Sequence, residues 1–317
     1  MKASKACSLT KRTGRILKLY TLLALCLTVG MTVWHLSTLL TEYDWETGFY
    51  SLGSTAETVT GWALFVATLL LFSCVFLVKK NESRAIRAIA PGRTLSSLLF
   101  SLAGGAFVVY SVWLALHLPP QYTLSSGVVY VVLFLAIPCC AYFLFSAVSQ
   151  SRKNPLLTIL GFAPVLWFCF VVIHLYFDRT TAINNPVKTL VQLSLIVIML
   201  FFLFELKCRV GKNGESLWFA FGLLSVLYGL STSLSLLIAE GSKGILAGSD
   251  AVLLGGLLLL SVAVAVRLFT CAFGITKGAS FAGCSHERDD ESEEATAEEA
   301  VFEGEGEALS SSEDLDD

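Results

Sequence analysis

The sequence has few charged residues and lacks the short motifs that mark the common enzyme classes. Only 15% of its 317 residues are Asp, Glu, Lys or Arg, against about 25% in a soluble protein of ordinary composition. It contains no GxxxxGK[ST] phosphate-binding loop, no HExxH zinc motif and no GxSxG nucleophile elbow. The sequence therefore predicts neither a soluble globular protein nor an enzyme with a recognisable catalytic motif, and it indicates no cofactor.

Charges of the two signs are separated along the chain. From Ser285 to Asp317 there are fifteen Asp and Glu and one Arg, whereas Met1 to Cys284 holds the other 21 Lys and Arg and ten acids. The acidic segment has few large apolar residues and cannot offset its ordering entropy, so we expect a disordered cytoplasmic tail over residues 274–317. Either the tail is only solvated, or it binds a basic cytoplasmic partner or the basic inner loops of its own chain. The basic residues lie between apolar runs, so nucleic-acid binding is not expected.

Long apolar runs dominate the rest of the chain, whose mean hydropathy is +0.71. A helix needs roughly 20 apolar residues to cross a hydrocarbon core, and in lipid such a run must satisfy its own backbone hydrogen bonds. The predicted fold is therefore all-α, a bundle of eight transmembrane helices over residues 17–273 that follows a basic cytoplasmic N-terminus, residues 1–16. The predicted spans are 17–41, 58–78, 95–117, 126–148, 155–177, 187–205, 216–238 and 249–271.

The distribution of basic residues predicts the orientation. With the N-terminus in the cytoplasm, 19 of the 22 Lys and Arg fall on the inner side, and only Arg179, Lys188 and Lys243 lie outside. Because cytoplasmic loops carry the Lys and Arg excess, we expect both termini in the cytoplasm. None of the nine cysteines falls in an outer loop, so no structural disulfide is expected. With the short loops, this favours a multi-pass protein of the plasma membrane, whose first partner is the lipid bilayer.

The most informative polar stretch is VIHLYFDRTTAINNPVK, residues 172–188, between spans 5 and 6. Asn185 and Pro186 predict a helix start, with Asn as N-cap and Pro at the first helical position. Lys188 would then lie in the first turn, where the helix dipole disfavours a cation. It therefore requires lipid phosphates or a nearby acid, and Asp178 is the nearest candidate.

The same stretch predicts a shallow polar pocket on the outer face. His174 and Asp178 are four residues apart and share one face of span 5, as Lys188 and Gln192 share one face of span 6. Together with Asn184, these residues form a candidate site for a small ligand. The alternative is a plain connection between two helices.

Two further histidines, His35 and His117, lie at the same predicted depth as His174. Imidazole binds metal ions and carboxylates can complete such a site, so the three histidines form a candidate metal site. Trp34 and Trp113 mark the same depth, and a belt of amphipathic rings at the membrane surface explains the histidines equally well.

Span 7 carries a face of small residues at helical spacing. Small faces let helices approach closely in lipid. This face either packs inside the bundle or forms a dimer contact. It consists of Gly222, Ser225, Gly229 and Ser233.

No ionisable residue lies near the centre of a predicted span, although such residues mark most ion and proton pathways. Glu205, Arg209 and Arg267 lie toward inner ends of their spans. Pro138 and Pro164 lie near the middles of spans 4 and 5, where each is expected to kink its helix.

These features favour a non-enzymatic sensor or partner-assembly protein, with the outer polar residues as input and the tail as output. The second interpretation is a transporter or permeability factor for a small, uncharged solute. The third is a metal-dependent membrane enzyme.

Reporter fusions test the orientation. Fusions at Arg84, Lys153 and Lys212 should report the cytoplasmic side, and fusions at Asp44 and Ser242 the external side, because the basic residues are so unequally divided. A tail found outside with the N-terminus inside would mean an odd number of spans and would overturn the assignment.

Overall fold

Each of the eight predicted spans corresponds to a helical segment that is long and apolar enough to cross a membrane. The computed structural model describes residues 2–77, 94–117, 124–148, 155–178, 182, 184–211, 214–246 and 248–274; the predicted tail lies outside these ranges apart from its first residue. The predicted ends differ from the observed ends by at most five residues, which confirms the spans. They are Thr13–Thr41, Ala56–Leu77, Leu95–Leu116, Ser126–Ser146, Pro155–Phe177, Pro186–Arg209, Glu215–Lys243 and Gly248–Phe273.

Span 2 consists of two helices, as does span 5, and a short antiparallel hairpin follows span 1. The hairpin pairs β1 with β2, with Tyr43 opposite Tyr50 and Asp44 opposite Phe49. We refer to the end of the bundle that carries this hairpin as the hairpin end. The elements are α1 Lys2–Thr41, β1 Tyr43–Asp44, β2 Phe49–Tyr50, α2 Ala56–Phe72, α3 Cys74–Leu77, α4 Thr94–Leu116, α5 Leu124–Val148, α6 Pro155–Leu160, α7 Phe162–Phe177, α8 Pro186–Arg209, α9 Glu215–Lys243 and α10 Gly248–Gly274.

Proline accounts for one of the two interruptions. Pro164 has no N–H for the carbonyl of Leu160, and span 5 is interrupted between these residues, at Gly161. By contrast, α5 continues through Pro138 as a single helix. The interruption of span 2 at Ser73 was not predicted from the sequence.

Six helices pack in a closed ring: α4 contacts α5, followed in turn by α7, α8, α9 and α10, which returns to α4. Aromatic side chains fill the ring. Phe100 of α4 reaches Phe202 of α8 across it, with 6.4 Å between the ring centroids, and the rings of Phe107 and Trp167 are 4.5 Å apart. Such contacts add to the stabilisation from burial alone. The buried aromatic residues of α4, α5, α7 and α8 are Phe100, Phe107, Tyr110, Tyr142, Phe143, Trp167, Phe168, Phe201 and Phe202.

The most buried helix is α9. In its most apolar stretch 72% of the residues are buried, against 28–50% in the other spans. It contacts α8 and α10 within the ring, and α1 and α2 outside it. The small face of α9 is buried here: a Cβ on Gly222 would lie 2.9 Å from the side chain of Leu268, and one on Gly229 would collide with the hydroxyl of Ser261. The prediction that this face packs inside the bundle is confirmed.

Gly229→Ala tests the close approach of α9 and α10. We expect a loss of about 1–3 kcal/mol in the free energy of unfolding, because the added methyl overpacks the interface. Ser261→Ala in the same chain should recover part of that loss. The control is Gly30→Ala, since a Cβ there meets open space, and this variant should lose nothing. Equal unfolding curves for Gly229→Ala and Gly30→Ala in detergent would contradict the packing.

Candidate functional site

The start of α8 follows the local sequence. The side chain of Asn185 accepts a hydrogen bond from the backbone N–H of Lys188 at 3.0 Å, and Pro186 is the first helical residue. This bond satisfies one of the free N–H groups of the first turn. The predicted N-cap is therefore confirmed.

Lys188 reaches from the start of α8 to the end of α7. Its side chain is largely buried, with 8% of the residue exposed, and Nζ donates to the main-chain carbonyl of Asp178 at 2.6 Å. Asp178 is the C-cap of α7 and its N–H donates to the carbonyl of His174 at 3.0 Å. Carbonyl groups at a helix C-terminus carry partial negative charge. The cation is thus stabilised by the end of the preceding helix, at Asp178, the residue that the sequence predicted to lie near Lys188.

The other predicted pocket residues differ in position. His174 is partly buried, and its Nδ1 is buried without a hydrogen-bond partner. Asp178 bonds to the main chain of His174 and to the side chain of Lys188, so these three residues lie close together. Gln192 is partly buried one turn beyond Lys188 on α8, and Asn184 is exposed in the turn before the helix.

The hairpin packs onto this junction through Tyr43. Nδ2 of Asn185 donates to the hydroxyl of Tyr43 at 3.1 Å, and the rings of Trp45 and Tyr50 lie 4.8 and 5.4 Å from the Tyr43 ring. Gly48 has a φ of +77°, and a Cβ there would lie 2.8 Å from Nδ2 of Asn185. Burial raises the pKa of Tyr43, so its hydroxyl stays protonated at neutral pH. Sequence reasoning found only the capping role of Asn185.

Asp44 stabilises the turn of the hairpin. Its carboxylate accepts hydrogen bonds from the N–H of Glu46 at 3.0 Å and from the hydroxyl of Thr47 at 2.9 Å. These bonds, led by the one from Glu46, lower the pKa of Asp44. The hairpin therefore keeps its shape without using the carboxylate of Glu46.

Four titratable residues of different helices lie toward the hairpin end of the ring: Tyr110 of α4, Asp178 at the end of α7, Glu240 of α9 and Asp250 of α10. We call them the acidic mouth. The charges of Asp178 and Asp250 act on the Tyr110 hydroxyl, the charge of Asp250 acts on Glu240, and the charge of Asp178 acts on Asp250. Sequence reasoning placed Glu240 at an outer end but missed Tyr110 and Asp250.

The histidines of the candidate metal site contact different groups. His35 is 3% exposed, and its Nδ1 lies 2.6 Å from the hydroxyl of Ser235. His117 stacks on Trp113 with 4.4 Å between centroids, and its Nδ1 lies 2.9 Å from the Trp113 carbonyl. Within the described ranges, no three His, Cys, Asp or Glu residues are arranged to hold a metal ion.

The opposite end of the ring contains a buried ion cluster. Glu205 is 4% exposed and accepts from Nη2 of Arg209 at 3.0 Å and from Nη1 of Arg267 at 3.0 and 3.1 Å. The guanidinium of Arg267 also lies 5.5 Å from the ring of Trp218. Sequence reasoning placed all three charged residues toward this end but not their mutual contact.

Comparisons of the chain with protein-family models, curated proteins and solved structures found no match. The site is therefore interpreted from its own geometry. That geometry places buried polar groups at both ends of α8 and an aromatic core between them.

Lys188→Met should lower the free energy of unfolding by about 1.5–3 kcal/mol, the range for a hydrogen bond to a charged group. Asp178→Asn keeps the main-chain carbonyl and should cost less than about 1 kcal/mol. Lys243→Met, at an exposed lysine of the same end, is the control and should stay within about 0.5 kcal/mol.

Unfolding of the purified protein measures all three variants. If Lys188→Met behaves like Lys243→Met, the stretch is only a connection. If Asp178→Asn costs as much as Lys188→Met, the carboxylate and not the carbonyl is the partner that matters.

Proposed function

We propose that the chain is a multi-pass protein of the plasma membrane, with both termini in the cytoplasm, that acts as a non-enzymatic sensor. A small ligand binds at the hairpin end, which faces outward. The acidic tail offers a contact for a basic cytoplasmic partner. The input and the output are thus on opposite sides of the bilayer.

The observation that carries this proposal is the position of α8. Its first turn holds Asn185 and Lys188 in the polar junction of the hairpin end, and its last turns hold Glu205 and Arg209 in the ion cluster. At one end α8 is bonded to α7 through Lys188, and at the other to α10 through Arg267. A helix is a rigid element that can carry coupling between two sites. A displacement of α8 by a ligand would therefore disturb the ion cluster.

The packing of the ring favours a sensor over a carrier. A carrier needs a path that reaches the middle of the membrane, often beside broken helices, whereas aromatic side chains fill the described part of the ring. The transporter interpretation keeps one supporting observation, the interruption of span 5 at Gly161. It is therefore the second candidate.

Alkylation of native cysteines tests the coupling. Cys208 lies on α8 between Glu205 and Arg209 and is partly exposed, whereas Cys74 is buried in the core. We expect Lys188→Met to change the alkylation rate of Cys208 about fivefold or more, which corresponds to a coupling of about 1 kcal/mol. Site-resolved mass spectrometry of the intact protein measures the rate.

The control variant Lys243→Met should leave the rate at Cys208 unchanged. A slow rate at Cys74 in every variant shows that the fold is intact. If Lys188→Met leaves the rate at Cys208 unchanged, α8 does not couple the two ends and the sensor proposal is rejected.

Vesicle swelling distinguishes the transporter, the second candidate, from the sensor. Proteoliposomes exposed to glycerol or urea should swell no faster than protein-free vesicles if the protein is a sensor. Faster swelling that depends on the protein would favour the carrier.

A further inference from the structure

The ion cluster contains more positive than negative charge. The guanidinium groups of Arg209 and Arg267 share the single carboxylate of Glu205. Each guanidinium has five N–H donors, and the bonds to Glu205 use Nη2 of Arg209 and Nη1 of Arg267. The two arginine side chains are still 13% and 16% exposed. The cluster therefore has positive charge and donors for a further acceptor, on side chains that are partly accessible.

Trp218 supplies a second, independent observation. The residue is 4% exposed, and its indole Nε1 is a buried donor without a hydrogen-bond partner among the described residues. The Nε atoms of Arg209 and Arg267 are buried without a partner in the same part of the chain. The guanidinium of Arg267 lies 5.5 Å from the Trp218 ring. Because a buried donor without an acceptor is costly, three such donors around one cluster indicate that an acceptor binds there.

Aromatic rings hold both guanidinium groups in position. Arg267 contacts two rings, with 5.5 Å to that of Trp218 and 5.9 Å to that of Phe100, and Arg209 lies 5.6 Å from the ring of Tyr142. These contacts are favourable in themselves and restrict the guanidinium planes. A fixed guanidinium matches two oxygens of a phosphate with parallel hydrogen bonds. Two fixed guanidinium groups and an indole N–H are therefore suited to the oxygens of one phosphate group.

The ends of spans 6 and 7 place the cluster at the level where lipid headgroups would lie. Arg209 is the last residue of α8, and Trp218 lies in the first turn of α9. In the same turn, the buried carboxylate of Glu215 accepts from the N–H of Gly214 at 3.1 Å and so stabilises the start of the helix. A phosphate can reach this level from either side, as a lipid headgroup or as a free anion.

We propose that the end of the ring opposite the hairpin binds a phosphate group, which accepts hydrogen bonds from the guanidinium groups of Arg209 and Arg267 and from the indole N–H of Trp218. The phosphate neutralises the excess positive charge of the cluster. The site goes beyond the proposed function, because it does not depend on a ligand at the hairpin end.

Titration of the full-length protein in detergent tests the site with two probes. The first is sodium phosphate, compared with sodium chloride at equal ionic strength. The second is dioleoyl phosphatidic acid in mixed micelles, compared with dioleoylglycerol, which lacks the phosphate. The apparent Kd is obtained from the rise in Tm, because a ligand that binds only the folded state stabilises it.

We expect at least one probe to raise the Tm more than its comparison does. A response to phosphatidic acid alone supports the site with the bilayer as the source of the phosphate. A response to sodium phosphate supports it with a free anion as a ligand.

Two variants test the donors. Trp218→Phe keeps an aromatic ring and removes the N–H, and Arg209→Lys keeps a positive charge beside Glu205 but removes the guanidinium fork. Each should weaken binding about tenfold, the effect of losing one hydrogen bond to a charged group. If Arg209→Lys fails to fold, Trp218→Phe decides alone.

Two matched controls should leave the apparent Kd unchanged. Trp45→Phe removes an indole N–H that is likewise buried without a partner among the described residues, but at the hairpin end. Lys207→Met removes an exposed positive charge from α8, two residues from both Glu205 and Arg209 and hence on the opposite face of the helix.

The inference is overturned if neither probe raises the Tm more than its comparison, or if Trp218→Phe binds the phosphate as tightly as the unchanged protein. It is also overturned if Trp45→Phe or Lys207→Met weakens binding as much as Trp218→Phe, because the effect is then general. The alkylation rate of Cys208 tests the sensor and the phosphate titration tests this site, so that each can fail without the other.

Discussion

Every polar group carried into the apolar interior of this bundle needs a partner within the protein, since lipid provides none. The buried hydroxyls of α9 meet this requirement in two ways. Ser225 donates to a carbonyl of its own helix, whereas Thr232 accepts from Ser194 of α8 at 3.1 Å and Tyr228 bonds Thr68 of α2 at 2.7 Å. Bonds between helices fix their rotation as well as their separation. The small face of α9 in turn allows a close approach to Leu268 and Ser261 of α10.

The ion cluster at Glu205 obeys the same constraint, but an unpaired charge costs more than an unpaired hydroxyl. A buried carboxylate is tolerated only when it is paired, and removal of one partner of such a pair typically costs about 3–5 kcal/mol. Arg209 comes from the same helix one turn later, and Arg267 comes from α10. Both α8 and α10 pack on α9, and the pair between Glu205 and Arg267 ties them together. The cluster therefore stabilises the fold, and it lies at the end of α8 opposite the hairpin.

Sequence reasoning succeeded where the physics is local. The spans can be predicted from the length of the apolar runs, because a helix satisfies its own backbone hydrogen bonds in lipid. The start of α8 can be predicted from Asn185 and Pro186. It failed where the partner is distant or belongs to the backbone. Glu205 and Arg267 are 62 residues apart in the chain. The carbonyl that binds Lys188 belongs to the main chain, so the residue type at that position does not reveal it. The same holds for Tyr110, whose position beside carboxylates from other helices depends on closure of the ring.

The distribution of charge follows from the difference between the ends of the ring and its centre. The centre is filled with aromatic side chains at the density of a protein interior, and a charge there would have neither space nor partner. At the hairpin end, helix termini and solvent lower the cost of charge, so the acidic mouth and Lys188 can be accommodated. Under the proposed function, α8 would respond to a ligand by moving as a whole, because it connects that end to the ion cluster through a packed middle. It is this arrangement, a ring filled with aromatic side chains and polar groups at both ends, that led us to propose a sensor rather than a carrier.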